Sequence, residues 1–500
     1  MIQQLENNRK LLHDRGICVI IPTYNNAGTI ERVVRKTCEY CDDVIVVNDG
    51  STDDTEKILK GIGNVEIVGY EKNKGKGYAL KMGFRRARKM GFAYAITLDA
   101  DGQHFPEDIP LFLQANQKHP GCLIVGSRNM EGVERSKGSN FANKFSDFWF
   151  WVQTGRWLSD TQTGYRLYPL KKHYGLPVLS NRYEAELQLM VFASWHGVKL
   201  EEIPVNVYYP PKEERVSHFR PGIDFARISL LNTVLCGLAL IYGLPLRIFR
   251  FLMKWGRTLY AALFFGFFSV LLVTPMVWCY TKIGKMTEKK RMKVHRLVNW
   301  MARFLMLRHG IPGTSFSYQM PDNVDFDKPK LIIANHQSHL DLACQLIFTP
   351  KMIFLTNGWA WNNPLYRTII HAAEFVPVTD PIDKIVPHLK SLVERGYSIA
   401  VYPEGTRSKD CRIGRFHQGP FFLADHLGLD ILPMCMYGPG KVLPKGVHHL
   451  NKSPLYVEVG DVVSNEELKK LGTYREQASW FRKYFIQKYE SIANQIEQDV

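Results

Sequence analysis

Three groups of residues in this chain have the types and spacing for chemistry. Asp99-Ala100-Asp101 closes the apolar run AYAITL, so two carboxylates would emerge near one spot at the end of a buried strand. Hard carboxylate oxygens suit Mg²⁺ or Mn²⁺, and a cation held there could bridge a diphosphate and neutralise a leaving group. Asp49 closes a second apolar run, VIVV, and is placed to hydrogen-bond a nucleotide base or ribose. His336 and Asp341 follow the apolar LIIA. An aspartate so close can fix an imidazole tautomer through one ring nitrogen, leaving the other to take a proton from a hydroxyl. In the third group, SIAVYPEGTRS runs into Glu404, Gly405, Thr406 and Arg407. A glycine there permits close backbone approach, and the arginine fork suits phosphate or carboxylate.

The flanking stretches supply the elements that must hold these groups. ICVIIPTYNN reads as a buried strand and turn, TIERVVRKTCEYC as a helix, DVIVVNDGSTDDT as a second strand with Val44–Val47 at its centre. VEIVGYE gives a third strand, NKGKGYALKMGFRRARKMG a glycine-led helix, and AYAITLDADGQH a strand ending in acids. Strands alternating with helices predict an α/β domain with a parallel sheet and its ligands at the strand C-terminal ends. Leu331–Ala334, SIAVYP and ILPMCM predict a second α/β domain. The tail EELKKLGTYREQASWFRKYFIQKYESIANQIEQ has aromatics at helical spacing, which predicts packing.

Between the two lies a different kind of sequence. ISLLNTVLCGLALIYGLPL (Ile228 to Leu246) and LYAALFFGFFSVLLVTPMVWCY (Leu259 to Tyr280) carry no charge and are joined by the basic RIFRFLMKWGR. At a rise of about 1.5 Å per residue the second block is long enough to cross a hydrocarbon core of roughly 30 Å. Aromatic residues near its ends with Arg or Lys just outside are membrane-interface signals. The division expected over the 500 residues is 1–226, a membrane-anchoring segment with a basic linker at 227–309, and 310–500. The net charge of +16 suits an anionic membrane surface, since no nucleic-acid-binding motif occurs. Lys282, Lys285, Lys289, Lys290, Arg291, Lys293 and Arg296 follow the second block with Glu288 as the only acid. Each such charge near an anionic leaflet contributes on the order of 1 kcal/mol. The polar start, MIQQLENNRK, does not read as a signal peptide, and the nine scattered cysteines, Cys38 and Cys41 included, read as reduced thiols.

PTYNN, VVNDGSTDDT, NKGKGYAL, LDADGQH and DTQTGYRLYP, in this order, resemble the family 2 inverting glycosyltransferases with a GT-A fold, nearest the polyprenol-phosphate sugar transferase branch. The resemblance implies that Pro22, Tyr24, Asp49, Lys76 and Asp99 bind a nucleotide-sugar and that Asp99 and Asp101 hold the metal. It also implies that Asp160 positions or deprotonates the acceptor and that Arg166 meets phosphate. The family's Tyr-Asn-Glu is Tyr24-Asn25-Asn26 here, and its basic loop before the membrane becomes Arg215-Val216-Ser217-His218, which points away from a phosphorylated polyprenol. QTGRW matches the Q-x-x-R-W of processive synthases but precedes Asp160 instead of following it, so a single transfer is expected.

NHQSHLD followed by YPEGTRS and ILPMCM is similar to the glycerolipid acyltransferases of the 1-acylglycerol-3-phosphate acyltransferase type. That similarity implies His336 as general base, Asp341 as its orienting partner, and Glu404, Gly405 and Arg407 as the acyl-acceptor site. The donor would be acyl-CoA or acyl-carrier protein. Where this family has a lysine, the chain has Thr356 or Asn357, and Val378-Thr379-Asp380 replaces an ending with arginine, which points to a less anionic acceptor.

Sugar nucleotides and acyl thioesters are cytosolic, so both sites are expected to face the cytosol at the inner membrane. That leaves a two-span hairpin or a monotopic anchor. The expected function is a bifunctional membrane enzyme that adds a sugar and an acyl chain to a lipid acceptor. Such fusions resemble those of glycolipid or aryl-polyene-type lipid pathways in Gram-negative bacteria. The rival reading keeps one domain active and the other as scaffold.

Overall fold

Apolar runs bounded by turn residues become the strands of two sheets. The computed structural model describes residues 2–128, 137–171, 180–208, 221–308, 311–356, 358–363, 367–378 and 382–499. They form two units, Met1–Arg250 and Phe251–Asp499. Residues of the segment expected at 227–309 fall in both.

In the first unit the strands are β1 (Ile17–Thr23), β2 (Val44–Asn48), β3 (Glu66–Gly69), β4 (Tyr94–Thr97), β5 (Leu123–Arg128), β6 (Arg166–Pro169) and β7 (Leu200–Val205), in the spatial order β3-β2-β1-β4-β6-β5-β7. Every residue of β1 and β2 is buried, as expected of strands covered by helices on both faces. Alternate side chains feed two cores: Cys18, Ile20, Ile45 and Val47 one, and Ile17, Val19, Ile21, Val44 and Val46 the other. β1 runs parallel to β2 and β4, which brings Thr23 beside Asn48 and gathers the strand ends that carry Asp49 and Asp99. The sheet is mixed, not wholly parallel, because β6 runs antiparallel to β4 and β5. All four residues of β6 are buried, and a run buried on both faces reads the same in either direction.

The second unit has β8 (Phe316–Gln319), β9 (Leu331–Ala334), β10 (Met352–Thr356), β11 (Val376–Pro377), β12 (Ser398–Val401), β13 (Ile431–Tyr437) and β14 (Leu455–Val459), in the order β11-β10-β12-β9-β13-β14-β8. β9 lies between β12 and β13, parallel to both. Just beyond it, Asn335 donates to the Met436 carbonyl at 2.9 Å and accepts from the Met436 amide at 2.7 Å, tying the NHQSHLD turn to β13. The C-terminal helix Tyr474–Asp499 buries Ala478, Phe481, Phe485 and Ile492 against this sheet, as its spacing predicts.

One helix, Ala226–Lys282, is long and apolar enough to cross a membrane. π-helical turns interrupt its α-helix at Ala239–Gly243 and Gly266–Val273. Protein holds it at several points. In the first unit, Asn232 accepts a hydrogen bond from Gln153 at 2.9 Å, Arg247 donates to the Thr154 carbonyl at 2.8 Å, and Arg250 donates to the Trp195 carbonyl. Those two carbonyls close the helices Lys137–Thr154 and Glu184–Trp195, where a cation complements the helix dipole. In the second unit, Val273 and Val277 enter the core and Thr258 accepts from the Leu450 amide at 2.9 Å. Elsewhere it is apolar and uncovered: Leu240, Ile241, Leu263 and Leu271 are 64% to 76% exposed.

The hairpin alternative requires a turn between the blocks, and the chain has none there: Leu244–Phe265 is continuous α-helix. RIFRFLMKWGR contains no proline to break it, and Arg247 and Arg250 are used as caps. Part of the basic run that follows is also occupied inside the protein, since Arg291 pairs with Glu374 at 3.0 Å. Arg215–His218, Asn357, Thr379 and Asp380 lie outside the described residues.

The aromatics of the C-terminal helix give a stability test. Phe485→Ala, which empties a fully buried position, is expected to cost about 3–5 kcal/mol, and Trp480→Ala, at an exposed position, under about 1 kcal/mol. Denaturant unfolding followed by circular dichroism would read the difference.

Candidate active sites

In the first unit the acids sit at the strand ends, but their partners divide them into two kinds. Asp49 is buried and turned inward: its carboxylate accepts from the Lys74 and Gly75 amides, both at 2.8 Å, and from Asn73 at 3.0 Å. It shapes the NKGKG loop. Pro22 is likewise buried within β1, in register with Val47, while Tyr24 beyond the strand end is half-buried. Arg166 is 1% exposed and donates to the carbonyls of Thr161 and Glu186 and to the Tyr168 hydroxyl. It is a core residue that cannot meet a phosphate. A carboxylate or guanidinium drawn into the interior is held first by the protein groups around it, as Asp49 and Arg166 are here.

Asp99, Asp101 and Lys76 form the open part of the site. Lys76 lies 2.7 Å from Asp99 and 3.1 Å from Glu186. Burial alone would raise Asp99, but the Lys76 ammonium more than offsets it and holds that carboxyl below its usual range. Burial, and then the charge of Asp99, push Asp101 up to about 6. Asp101 accepts only the Gln103 amide, at 3.0 Å, so it keeps lone pairs free. Two carboxylates that destabilise each other's charge are a donor set suited to a divalent cation, and Mg²⁺ usually takes one or two carboxylates plus substrate phosphates. Among the described residues no group of three His, Cys, Asp or Glu converges as a metal site, so Asp99 and Asp101 are the pair that could hold one. Gly164 makes room for the ion pair: a Cβ there would fall 2.5 Å from Asp99 and 2.8 Å from Lys76.

Asp160 is nearly inaccessible and bound by Arg128 through two hydrogen bonds of 2.6 and 2.8 Å. Burial alone would raise it, and the guanidinium more than compensates, holding it below the usual range. In this geometry Asp160 is the counter-ion of Arg128; to act on a nucleophile it needs Arg128 to turn to another anion. Motif reading missed several neighbours. Glu186 opens a helix far along the chain from Lys76. Asp147, pushed up to about 6 by burial, holds Thr161 through its amide and hydroxyl at 2.9 and 2.8 Å. His104, pushed down to about 4 by burial, stands neutral behind the acidic pair. Only His104, immediately after DADGQ, carried a local signal.

The second unit brings His336 and Asp341 together. His336 Nδ1 lies 2.8 Å from Asp341 Oδ2, and the same oxygen accepts the amides of Gln337 at 2.6 Å and Ser338 at 2.8 Å. Asp341 is wholly buried and acceptor-only when ionised, so it holds the proton of the imidazole on Nδ1 and leaves Nε2 as a base. The Tyr402 ring stacks on His336, with centroids 4.0 Å apart and planes 12° from parallel, and restricts its rotation. Glu404 is buried, and its two oxygens accept the amides of His336 and Gly414, both at 2.8 Å. It therefore braces the turn that carries His336. Gly405, at φ +66°, turns the chain back, and the Ser408 amide then donates to the His336 carbonyl at 2.8 Å. Arg407 is half-buried beside this turn.

Comparison with known proteins agrees with both geometries. Residues 18–173 match the model of glycosyl transferase family 2, and residues 315–437 match the acyltransferase model. A UDP-N-acetylglucosamine–dolichyl-phosphate N-acetylglucosaminyltransferase of Methanococcus voltae is 30% identical over 224 residues, covering 39% of this chain and 87% of that protein. A polyprenol monophosphomannose synthase of Mycolicibacterium smegmatis is 30% identical over 204 residues, covering 37% of this chain and 75% of that protein. A chloroplastic 1-acyl-sn-glycerol-3-phosphate acyltransferase of Arabidopsis thaliana is 30% identical over 158 residues, covering 29% of this chain and 44% of that protein, so the chain spans less than half of that relative. Through its first unit the chain belongs to glycosyl transferase family 2, and the second unit carries the match to the acyltransferase model.

Gly164→Ala tests the acidic site without touching a charged group. The added methyl is expected to separate Lys76 from Asp99 and lower glycosyl transfer by about 10-fold or more, the scale of a lost positioning contact. Assays of sugar-nucleotide consumption alongside acyl transfer in the same preparation would show whether the second activity is spared.

Proposed function

We propose that this chain is a membrane-bound bifunctional transferase that adds a sugar from a nucleotide-sugar and an acyl chain from acyl-CoA or acyl-carrier protein to a lipid acceptor. The observation that carries the reading is the His336–Asp341 pair with a free Nε2, on the same chain as the Asp99–Asp101 carboxylates. In the first unit, Asp99 and Asp101 would hold Mg²⁺ or Mn²⁺, which when bound neutralises the departing diphosphate. Lys76, now paired with Asp99, adds a second positive charge at the same end of the site. Asp160 accepts the proton of the acceptor, or orients it, once Arg128 engages another anion. The named relatives act on dolichyl or polyprenol phosphates, and such a phosphate would be that anion.

In the second unit, His336 Nε2 takes the proton of an acceptor hydroxyl as its oxygen attacks the thioester carbonyl. The tetrahedral intermediate expels the thiolate, which leaves with that proton from His336. Asp341 stabilises the transient imidazolium, and Arg407 binds the acceptor beside it. The uncovered apolar side of Ala226–Lys282 lies in the cytoplasmic leaflet as a monotopic anchor, and both sites face the cytosol, where the donors are. Fusion to one anchor raises the effective concentration of each product at the other site.

Two measurements test this. In the native host, Asp101→Ala and His336→Ala are each expected to abolish one and the same glycosylated, acylated lipid by mass spectrometry, with different intermediates accumulating. Loss of two unrelated lipids would separate the pathways, and an unchanged lipidome would end the bifunctional reading. The second is Mn²⁺ binding by electron paramagnetic resonance. A proton on Asp101, favoured below about 6, competes with the cation. Affinity should therefore rise between pH 5 and 7, by about 10-fold per unit at most, and level off above. Asp101→Asn should remove both the tight binding and its pH dependence.

A further inference from the structure

Two contacts of different kinds hold the imidazole of His336. In the plane of the ring, Nδ1 meets Asp341 Oδ2 at 2.8 Å. That bond fixes one nitrogen and leaves the ring free to turn about it. On the face of the ring lies Tyr402, with centroids 4.0 Å apart and planes 12° from parallel. The two residues meet because β9 and β12 are parallel neighbours with Ile333 and Val401 in register, so the segments that follow them leave the sheet side by side. Tyr402 is itself fixed. Its ring packs on the core of the second unit, and its hydroxyl is buried with no hydrogen-bond partner among the described residues. Burial also holds the phenol well above its ordinary range, so it stays neutral. Tyr402 therefore acts on His336 neither as a hydrogen-bond donor nor as a proton carrier. What it presents to the histidine is the face of its ring.

A ring face matters once the imidazole becomes a cation. Asp341 Oδ2 accepts the amides of Gln337 and Ser338 as well as His336, so its charge is shared among three donors. Glu404 is turned to the amides of His336 and Gly414. Arg407 lies close enough to act on His339 of the same turn, and its charge opposes a further positive one there. An aromatic face carries the negative end of the ring quadrupole and attracts a cation within about 6 Å of its centroid. The attraction is weak for neutral imidazole and grows as positive charge develops on it. It is therefore stronger in the transition state than in the ground state, which is the condition for raising a rate.

We propose that Tyr402 is a positioning residue for acyl transfer: its ring face fixes the orientation of the His336 imidazole and stabilises the imidazolium that forms as Nε2 takes the acceptor's proton. The inference rests on the acyltransferase reading of this unit. Tyr402 gains and loses no proton in the reaction. The proton passes from the acceptor hydroxyl to Nε2 and from there to the departing thiolate, and Tyr402 acts on it only through the imidazole.

The test uses the purified full chain in detergent and follows the label of radiolabelled oleoyl-CoA, or of the oleoyl thioester of acyl-carrier protein, into a total lipid extract of the host. Tyr402→Phe keeps the ring face and should stay within about 2-fold of wild type. Tyr402→Leu keeps an apolar side chain without the face and should lower kcat by about 5-fold or more, with the donor's KM unchanged. Glycosyl transfer in the same preparation reports whether the variant is folded, and Tyr402→Met replaces Tyr402→Leu if it is not. A second readout is the Cε1 proton of His336 in isotope-labelled protein, assigned with His336→Gln. Loss of the ring above it should move that resonance downfield in Tyr402→Leu and leave it in place in Tyr402→Phe. An unchanged kcat or an unmoved resonance in Tyr402→Leu would overturn the proposal. Equal losses in Tyr402→Phe and Tyr402→Leu would also do so, by assigning the effect to the hydroxyl, as would a change confined to the donor's KM. No acyl transfer by wild type from either donor would defeat the acyltransferase reading and the proposal with it, whereas transfer that Tyr402→Leu leaves intact would defeat the proposal alone.

Discussion

A carboxylate removed from water must be compensated, and the way each one is compensated decides what it does in this protein. Backbone amides hold Asp49 and Glu404, which makes those residues braces of their loops. A lysine satisfies Asp99, an arginine Asp160, and an imidazole with two amides Asp341. These last three remain chemically useful because a side-chain partner can move or pass on a proton. Asp101 is the least compensated, and its raised affinity for a proton measures how much it would gain from a cation.

The same economy explains the central helix. Arginines inside an apolar segment are costly unless they find acceptors, and Arg247 and Arg250 find the exposed carbonyls at the ends of two helices. The helix is thus docked by its cations, by Asn232 and Gly243 and by Leu235, Val273 and Val277, while many of its other leucines and phenylalanines are exposed. That division leaves an apolar surface with no protein cover, which is a property of membrane-associated chains and a liability in water.

Much of the fold was legible locally. β1, β2 and β9 are continuous apolar runs ended by turn residues, and runs of that kind have few alternatives once helical patterns flank them. The direction of β6 was not legible, because a short strand buried on both faces has no pattern that encodes orientation. The motif residues were found at the strand ends, but motif reading could not distinguish Asp49 from Asp99: each ends an apolar strand, and only the neighbouring loop decides which of them is capped by amides.

By itself, the order of motifs determined a resemblance to a glycosyltransferase followed by an acyltransferase, with an apolar segment between them, because reactive residue types at strand ends are a local pattern. The tertiary structure decided which of those residues are free to react. Lys76 with Glu186, Arg128 with Asp160 and Tyr402 with His336 are all distant in sequence, and no spacing rule encodes pairs that meet only when strands and loops are brought together. The continuity of the central helix was likewise settled by packing, since its basic bridge would read equally well as a turn until Arg247 and Arg250 found the carbonyls that hold them.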